Sequence, residues 1–390
     1  MIFKSTSPLS PNVSVFIKSI SVVTNSLQQI VINNSENKHS MATLTFSGLP
    51  SGTLSTYLNK AIKIEVKYPN LKTETFTGTI SFIQPTSTTN DGLVNDSQLQ
   101  IVNMVCFGAS YRMNSRYSKI WSNVSIADIT KSFADKYNFS LSVPNNPYRF
   151  PSLVQKQETD WSFLLKAISY LGYSGTVEGT HIHIWDPSNS ASHKTSLSTI
   201  TTLKNKKGSI DESPGQILTF NVTIGSSSFL GRTQGTASIN VLDSNNNVYK
   251  ITQKESESSV MGEDLSNLYT TDLPVKATSF AMANELLKGH LRKGFPVSAS
   301  ASLTADTTIK VGGIVYLDKY GEDFDGYWYV NQVTHRIFHS QMFTDIEISK
   351  DGLNKDTSVY NGYSSYVDPP DSALIKNDWV SSKDMVDVYD

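Results

Sequence analysis

The sequence predicts a mainly β chain that carries one small α/β module. Three observations lead there. Short runs that alternate apolar and polar residues recur through the first hundred residues and again after residue 217, the period of half-buried strands. Between about 120 and 175 that period gives way to apolar residues three and four apart, the spacing of a helix face. Only 17% of the 390 residues are charged, against about 25% in ordinary soluble proteins, and Ser, Thr and Asn fill the difference. At roughly 150 residues per domain, this length allows about two to three domains.

The first strands fall at 13–17, 29–32, 42–46, 62–66 and 76–80, with polar turns between them. Residues 86–98 form a long polar insert. Asp128, three residues after Ser125, makes a capping box, and Ile126, Ile129, Phe133 and Tyr137 follow on one helix face. A second helix starts near Thr159 and Asp160. Its apolar face is Trp161, Leu164, Leu165, Ile168 and Leu171, and Gly172 stands where a helix ends. Strands at 173–177 and 181–185 complete the module. Residues 188–208 are rich in Ser, Thr and Lys and read as a linker.

Strands resume at 217–224, 236–242 and 248–253, and 254–274 reads as loop. One helix then carries Phe280, Ala283, Leu287 and Leu291 on one face, with Gly294 and Pro296 to stop it. Further strands lie at 297–303, 313–317, 327–333 and 344–348. The last stretch contains Pro369 and Pro370, has no period, and reads as an extended arm. Composition and period together divide the chain into a first β domain (1–115), a small α/β domain (116–188), a linker (189–209), a second β domain (210–352) and a C-terminal arm (353–390).

Charge and motifs exclude more than they assign. Lys plus Arg is 33 and Asp plus Glu is 35, for a net charge of −2. Such a balance gives no reason to coat nucleic acid. A single cysteine, Cys106, excludes a disulfide framework within the chain and a Cys-rich zinc fold; its apolar surroundings read as a buried, inert thiol. The start has no apolar core followed by small residues, so it is not a secretory signal, and no run reaches the ~18 apolar residues of a membrane helix.

His181 and His183 share one face of a strand but lack a third ligand at metal spacing. Residues 243–247 begin like a calcium loop, then place Val248 where glycine is needed and Lys254 where the bidentate glutamate belongs. Glu322, Asp323 and Asp325 before Gly326 read foremost as a β-turn. Gly172-Tyr173-Ser174-Gly175 misses the G-x-S-x-G elbow by one residue, and there is no H-E-x-x-H, P-loop or G-x-G-x-x-G. Glu158 and Asp160 sit at a helix start, where acids favour the dipole. The expectation is a non-enzyme with no catalytic residue, no metal and no cofactor. Two alternatives remain. One is a carbohydrate-binding adhesion protein, which needs Tyr327, Trp328 and Tyr329 exposed together to stack on sugars. The other is a cell-wall-cleaving enzyme, which needs a carboxylate or Cys/His constellation.

Several stretches carry a resemblance. Glu158-Thr159-Asp160-Trp161-Ser162-Phe163-Leu164, within 155–173, resembles the E-[ST]-D-W-x-F-L segment of the phage baseplate hub proteins. That family includes the late control D proteins and is similar to the hub portion of type VI secretion VgrG spike proteins. The capped helix upstream, the F-x-G-x-I match at Phe76, Gly78 and Ile80, and Val330, Val333 and His335 with the strand 343–348 resemble the family's other strands. The stretch from 10 to 352 is covered in order. The long insert at 86–98 departs from the pattern, and the tail after 352 lacks the spike and lysozyme modules fused to some relatives.

The resemblance implies a structural ring rather than a catalyst. Each chain would supply two tail-tube-like β-barrels flanking the small domain, and a homotrimer would present a pseudo-sixfold ring to a sixfold tube. The implied partners are copies of itself, a tail tube or distal tail protein, a spike or tip protein, a tape measure protein and baseplate wedge proteins. DNA would pass only as cargo, and the chain alone would bind no membrane. The implied place is the virion's tail baseplate, assembled in the host cytoplasm. Signature residues would act by packing: Gln157, Asp160 as helix cap, Trp161, Leu164 and Leu165 in the module, and Gly326, Tyr327, Val330 and His335 in the closing strands. Tyr360, Tyr363, Tyr366, Trp379 and Tyr389 make the arm a candidate for docking a neighbour, because aromatics are enriched where chains meet.

Overall fold

The computed structural model describes residues 11–17, 20–21, 26–47, 51–67, 73–87, 100–146, 148–187, 201–204, 215–224, 236–242, 248–254, 270–277, 279–291, 297–321, 323–338, 341–350 and 375–380. Its first part is seven antiparallel strands: β1 (Asn12–Ile17), β2 (Ile20–Ser21), β3 (Leu27–Ser35), β4 (Met41–Ser47), β5 (Ala61–Lys67), β6 (Glu74–Ser87) and β7 (Gln100–Gly108). They run side by side in the order β3-β4-β7-β6-β5-β1-β2. Burial alternates along β1 and β4, so Val13, Val15 and Ile17 face inward with Ala42, Leu44 and Phe46. Period-two patterning thus builds one core, as the sequence predicts. Cys106 lies in it, and burial pushes its thiol up to about 12. Gly78 is required where β6 meets β7, because a Cβ there would stand 2.4 Å from the Phe107 carbonyl oxygen. Of the polar insert, Thr86 and Ser87 end β6, and 88–98 lie outside the described residues.

The small module follows: β8 (Arg116–Val124), α1 (Ile126–Tyr137), β9 (Ser140–Ser142), β10 (Phe150–Thr159), α2 (Asp160–Tyr170), β11 (Ser174–Glu178) and β12 (His181–Trp185). β8 and β10 form an antiparallel ribbon; β11, β12 and β9 form a second small sheet. The capping box is present. Asp128 N–H donates to Ser125 Oγ at 3.1 Å, and Ser125 N–H donates to Asp128 Oδ2 at 3.0 Å. Asn138, at φ 57°, ends α1 in the left-handed conformation that short polar side chains tolerate.

The rest comprises β13 (Thr201–Lys204), β14 (Ile217–Ile224), β15 (Thr236–Leu242), β16 (Val248–Lys254), β17 (Thr270–Ala277), α3 (Phe280–Leu291), β18 (Val297–Thr304), β19 (Ile314–Asp318), β20 (Gly326–Phe338), β21 (Met342–Lys350) and β22 (Ile375–Val380). The run β14-β18-β21-β20, with β19 on β20 and β13 on β19, encloses a second core around Trp328, Val330, Ile346 and Ile348. β20 is long enough to serve both parts. Its first residues pair with β19, and Gln332 to Phe338 pair with β3. The two β parts therefore share one 13-stranded sheet.

Three findings depart from the sequence reading. The span 210–352 is not one unit: β17, β15, β16 and β22 form a separate four-stranded sheet. α3 packs on β15, β17 and α2, and Ala283, Leu286, Leu287, Ile239, Val241 and Ala277 join the core of the small module. Period identifies a buried face but not what covers it. The supposed linker 189–209 contains β13, parallel to β19 with Leu203 buried; four residues are too few to show a period. The C-terminal arm contains β22, whose backbone pairs antiparallel with β16, so part of it is strand after all. Sheet pairing is a backbone interaction with little sequence signature of its own.

Candidate functional site

The start of α2 holds the strongest sequence signature. Thr159, not Asp160, is the cap: its side chain accepts from Ser162 N–H at 3.0 Å. Asp160 is the first helical residue and is buried, with its carboxylate enclosed by donors. Lys136 Nζ lies 2.6 Å and Tyr137 Oη 2.7 Å from its Oδ2, and Gln155 Nε2 donates to Oδ1 at 2.7 Å. A buried carboxylate demands such partners. Burial, helped by the bond to Asp160, pushes the Tyr137 phenol up to about 12.

The expected signature residue Gln157 does not point into this cluster. It sits at φ 48° in a bulge where the β10–β8 register shifts between Gln155 and Glu158, and it is exposed. The bulge reverses the alternation, so the inward glutamine is Gln155, which also accepts from Trp121 Nε1–H at 3.4 Å. Trp161 is buried and stacks on His39 of the β3–β4 connection, ring centroids 5.4 Å apart. Leu164 is buried; Leu165 is half-buried against the same core. Phe163, which the helical-face reading omits, is buried and stacks on Trp121 at 5.7 Å, because α2 is covered on two sides.

All three parts of the molecule meet at one hydrogen-bonded junction. Trp185, the last residue of β12, inserts into the second β core and donates its indole N–H to Tyr329 Oη at 2.8 Å. Tyr329 in turn donates to Glu36 Oε2 at 2.7 Å, on the β3–β4 turn. Asn331 Nδ2 donates to Glu36 Oε1 at 3.2 Å, and Glu36 N–H donates to the Asn331 carbonyl at 3.0 Å. Asn331 is the extra residue where the β20–β21 register shifts, which frees its side chain to turn toward the junction. Asn37, at φ 57°, clamps the same turn to β11: its N–H donates to the Gly175 carbonyl at 2.9 Å, and its Oδ1 accepts from Gly175 N–H at 3.0 Å. Burial raises the Glu36 carboxyl above its ordinary range, partly opposed by its hydrogen bonds with Tyr329 and Asn331. Gly312, at φ 74°, leaves room for the Trp185 ring, which a Cβ would meet at 2.7 Å.

The closing strands are structural in the same sense. Gly326 takes φ 119°, which only glycine adopts freely. Val330 is fully buried. Trp328 and Tyr329 are buried strand core and Tyr327 is half-buried against Tyr316, so the triplet is not an exposed sugar-stacking platform. The Asp323–Asp325 turn points carbonyls rather than carboxylates at a cation: the buried Lys350 ammonium donates to the Asp323 carbonyl at 2.7 Å. Burial pulls that lysine down to about 8, against the pull of Asp323 and Asp325. His335 is buried, with Nδ1 3.1 Å from Thr344 Oγ1, and burial drives it down to about 3.

His181 bonds with Ser140 and Ser142, and His183 stacks on Trp185 at 5.2 Å. Among the described residues no three His, Cys, Asp or Glu side chains gather as a metal set, and no helix is long and apolar enough to cross a membrane. The candidate calcium loop at 243–247, Glu322, and Tyr360, Tyr363, Tyr366 and Tyr389 lie outside the described residues; Trp379 lies in β22, its backbone opposite Tyr249. Sequence reasoning missed Gln155, Glu36, Asn37 and Trp185 as a set. The one available signal was the polar turn at 33–37.

The architecture is shared with known tail proteins. A tail protein from Neisseria meningitidis superposes with a TM-score of 0.62 at 10% identity, over 90% of this chain and 99% of that one. The 43 kDa tail protein of prophage MuSo2 from Shewanella oneidensis gives 0.61 at 9% identity, over 87% and 98%. A type VI secretion component of E. coli, itself structurally similar to the T4 phage tail proteins gp27 and gp5, gives 0.54 at 9% identity, over 86% and 76%. At such identities the likeness is one of fold, and this chain has the fold of these tail proteins. By sequence, residues 18–339 match the model of the family described as the Alg8 N-terminal domain, and the chain belongs to that family. No curated protein matches the sequence.

Proposed function

We propose that this chain is a structural hub subunit of a phage tail or a related injection machine. Three copies would form a pseudo-sixfold ring that joins the tail tube to the spike or tip and encloses the channel through which DNA passes. One observation carries the reading: two β parts with separate cores, fused through β20 and β3 and keyed by Trp185 of the small module, form a unit shared along nearly the whole length of a known tail protein. In this reading the residue limits 1–115, 116–188 and 210–352 describe two tube-like barrels and the module between them, with β15–β17 and α3 as an insertion that serves the module. The partners are copies of the chain, a tube or distal tail protein, a spike or tip protein, a tape measure protein and wedge proteins. The site of action is the tail baseplate of the virion, after assembly in the host cytoplasm. The role is scaffolding rather than catalysis: the side chains of the junction tie the three parts of the chain together.

Light scattering on the purified full chain tests it. The expected mass is three times the 43.1 kDa of one chain. A monomer that stays monomeric over a wide concentration range, and that forms no ring when mixed with its tube protein, overturns the reading.

A further inference from the structure

A cleft of about 610 Å³ opens where the β3–β4 turn and the α2–β11 corner overhang the sheet face of β14, β18 and β21. That volume falls in the range of about 300–1,000 Å³ typical of ligand sites. Its floor is built by register. Asn221 pairs with Ser300, and Ser300 with Glu347, so three polar side chains line up across three adjacent strands. Ser298 lies two residues along on the same face and adds to the floor. Glu36 stands in the opposite wall, its two oxygens held by Tyr329 and Asn331.

The lining is acidic without being neutralised. It holds two carboxylates, Glu36 and Glu347, and its described residues include no lysine, arginine or histidine. Lys38 acts on Glu36 through space, yet among the described residues neither carboxylate has an ion-pair partner. A sugar is the less suitable guest, because the cleft's two tyrosines, Tyr173 and Tyr329, are buried and offer no ring face for stacking. A planar guanidinium or an ammonium group finds acceptors on these walls: the oxygens of the two carboxylates, with side-chain carbonyls and hydroxyls of Asn and Ser beside them.

We propose that this cleft is a docking site for a basic side chain, arginine before lysine, presented by a protein segment that seats against the junction of the three parts. Glu36 is the fixed acceptor deep in the wall and Glu347 the outer one. The cleft lies within a single chain, so the proposal stands or falls independently of ring formation.

The test is titration calorimetry on the full chain with N-acetyl-argininamide, and with the neutral isostere N-acetyl-citrullinamide as control. The arginine probe is expected to bind in the millimolar range, at least tenfold more tightly than citrulline. Glu347→Gln, at an exposed position, is expected to weaken it about fivefold or more; Glu36→Gln should weaken it further if that variant stays folded. Equal binding of the two probes, no binding of either, or full affinity in Glu347→Gln overturns the proposal.

Discussion

Tyr329 hydroxyl chemistry concentrates the connection between three parts of the chain in one oxygen atom. It accepts from Trp185 and donates to Glu36. Tyr329→Phe keeps the ring and removes that oxygen, so the variant is expected to lose about 1–3 kcal/mol, the cost of depriving enclosed polar groups of a partner. Denaturant unfolding reads this directly, and an unchanged midpoint would show that the junction contributes nothing to stability. His335 gives a second residue-scale prediction. Its native pKa of about 3 lies below the ordinary 6.5, so the unfolded chain takes up a proton that the native chain refuses. Its contribution is whole above about pH 6.5 and declines as pH falls toward 3, by up to ~1.4 kcal/mol per pH unit. The raised carboxyl of Glu36 acts in the opposite sense, over the range upward from its ordinary 4.5. His335→Gln is expected to flatten the stability profile between pH 7 and 5; an equally steep profile in the variant would remove His335 as its cause.

At the scale of elements, α2 separates capping from burial. Thr159→Ala removes a side-chain cap and is expected to cost about 1 kcal/mol. Asp160→Ala removes the shared acceptor of Lys136, Tyr137 and Gln155 and is expected to cost more. Thermal midpoints of the two variants check the order, and equal shifts would mean that the acid acts only through the helix end. The two helices of the module were legible because each period is written within a dozen residues, with a capping box to start the first and Gly172 to stop the second. The bulge that turns Gln155 inward and leaves Gln157 outside was not legible. A bulge depends on what the partner strand β8 offers, and local alternation carries no record of it.

For the whole molecule, the placement of β22 on β16 bears on the C-terminal arm. Neither β core includes a described residue beyond 350, so deletion of 353–390 is expected to leave the unfolding midpoint of those cores and the oligomeric mass unchanged. On the proposed hub role, what it should weaken is attachment to the next tail component, read by co-sedimentation with assembled tube. If the shortened chain joins complete tails as well as the full one, the arm has no docking role.

The sequence by itself determined the β-rich class, the α/β module between two β parts, the three α-helices of the described residues and the absence of familiar catalytic motifs. Each of these is encoded in short-range periodicity or in residue types at close spacing. Tertiary structure alone decided that β20 belongs to both β parts, that α3 and β15 complete the module's core, and that Glu36, Trp185 and Tyr329 meet although up to 293 positions separate them. Those outcomes rest on which apolar face finds which other, and on backbone pairing that any strand of suitable length can offer. Neither is written in the local order of residues.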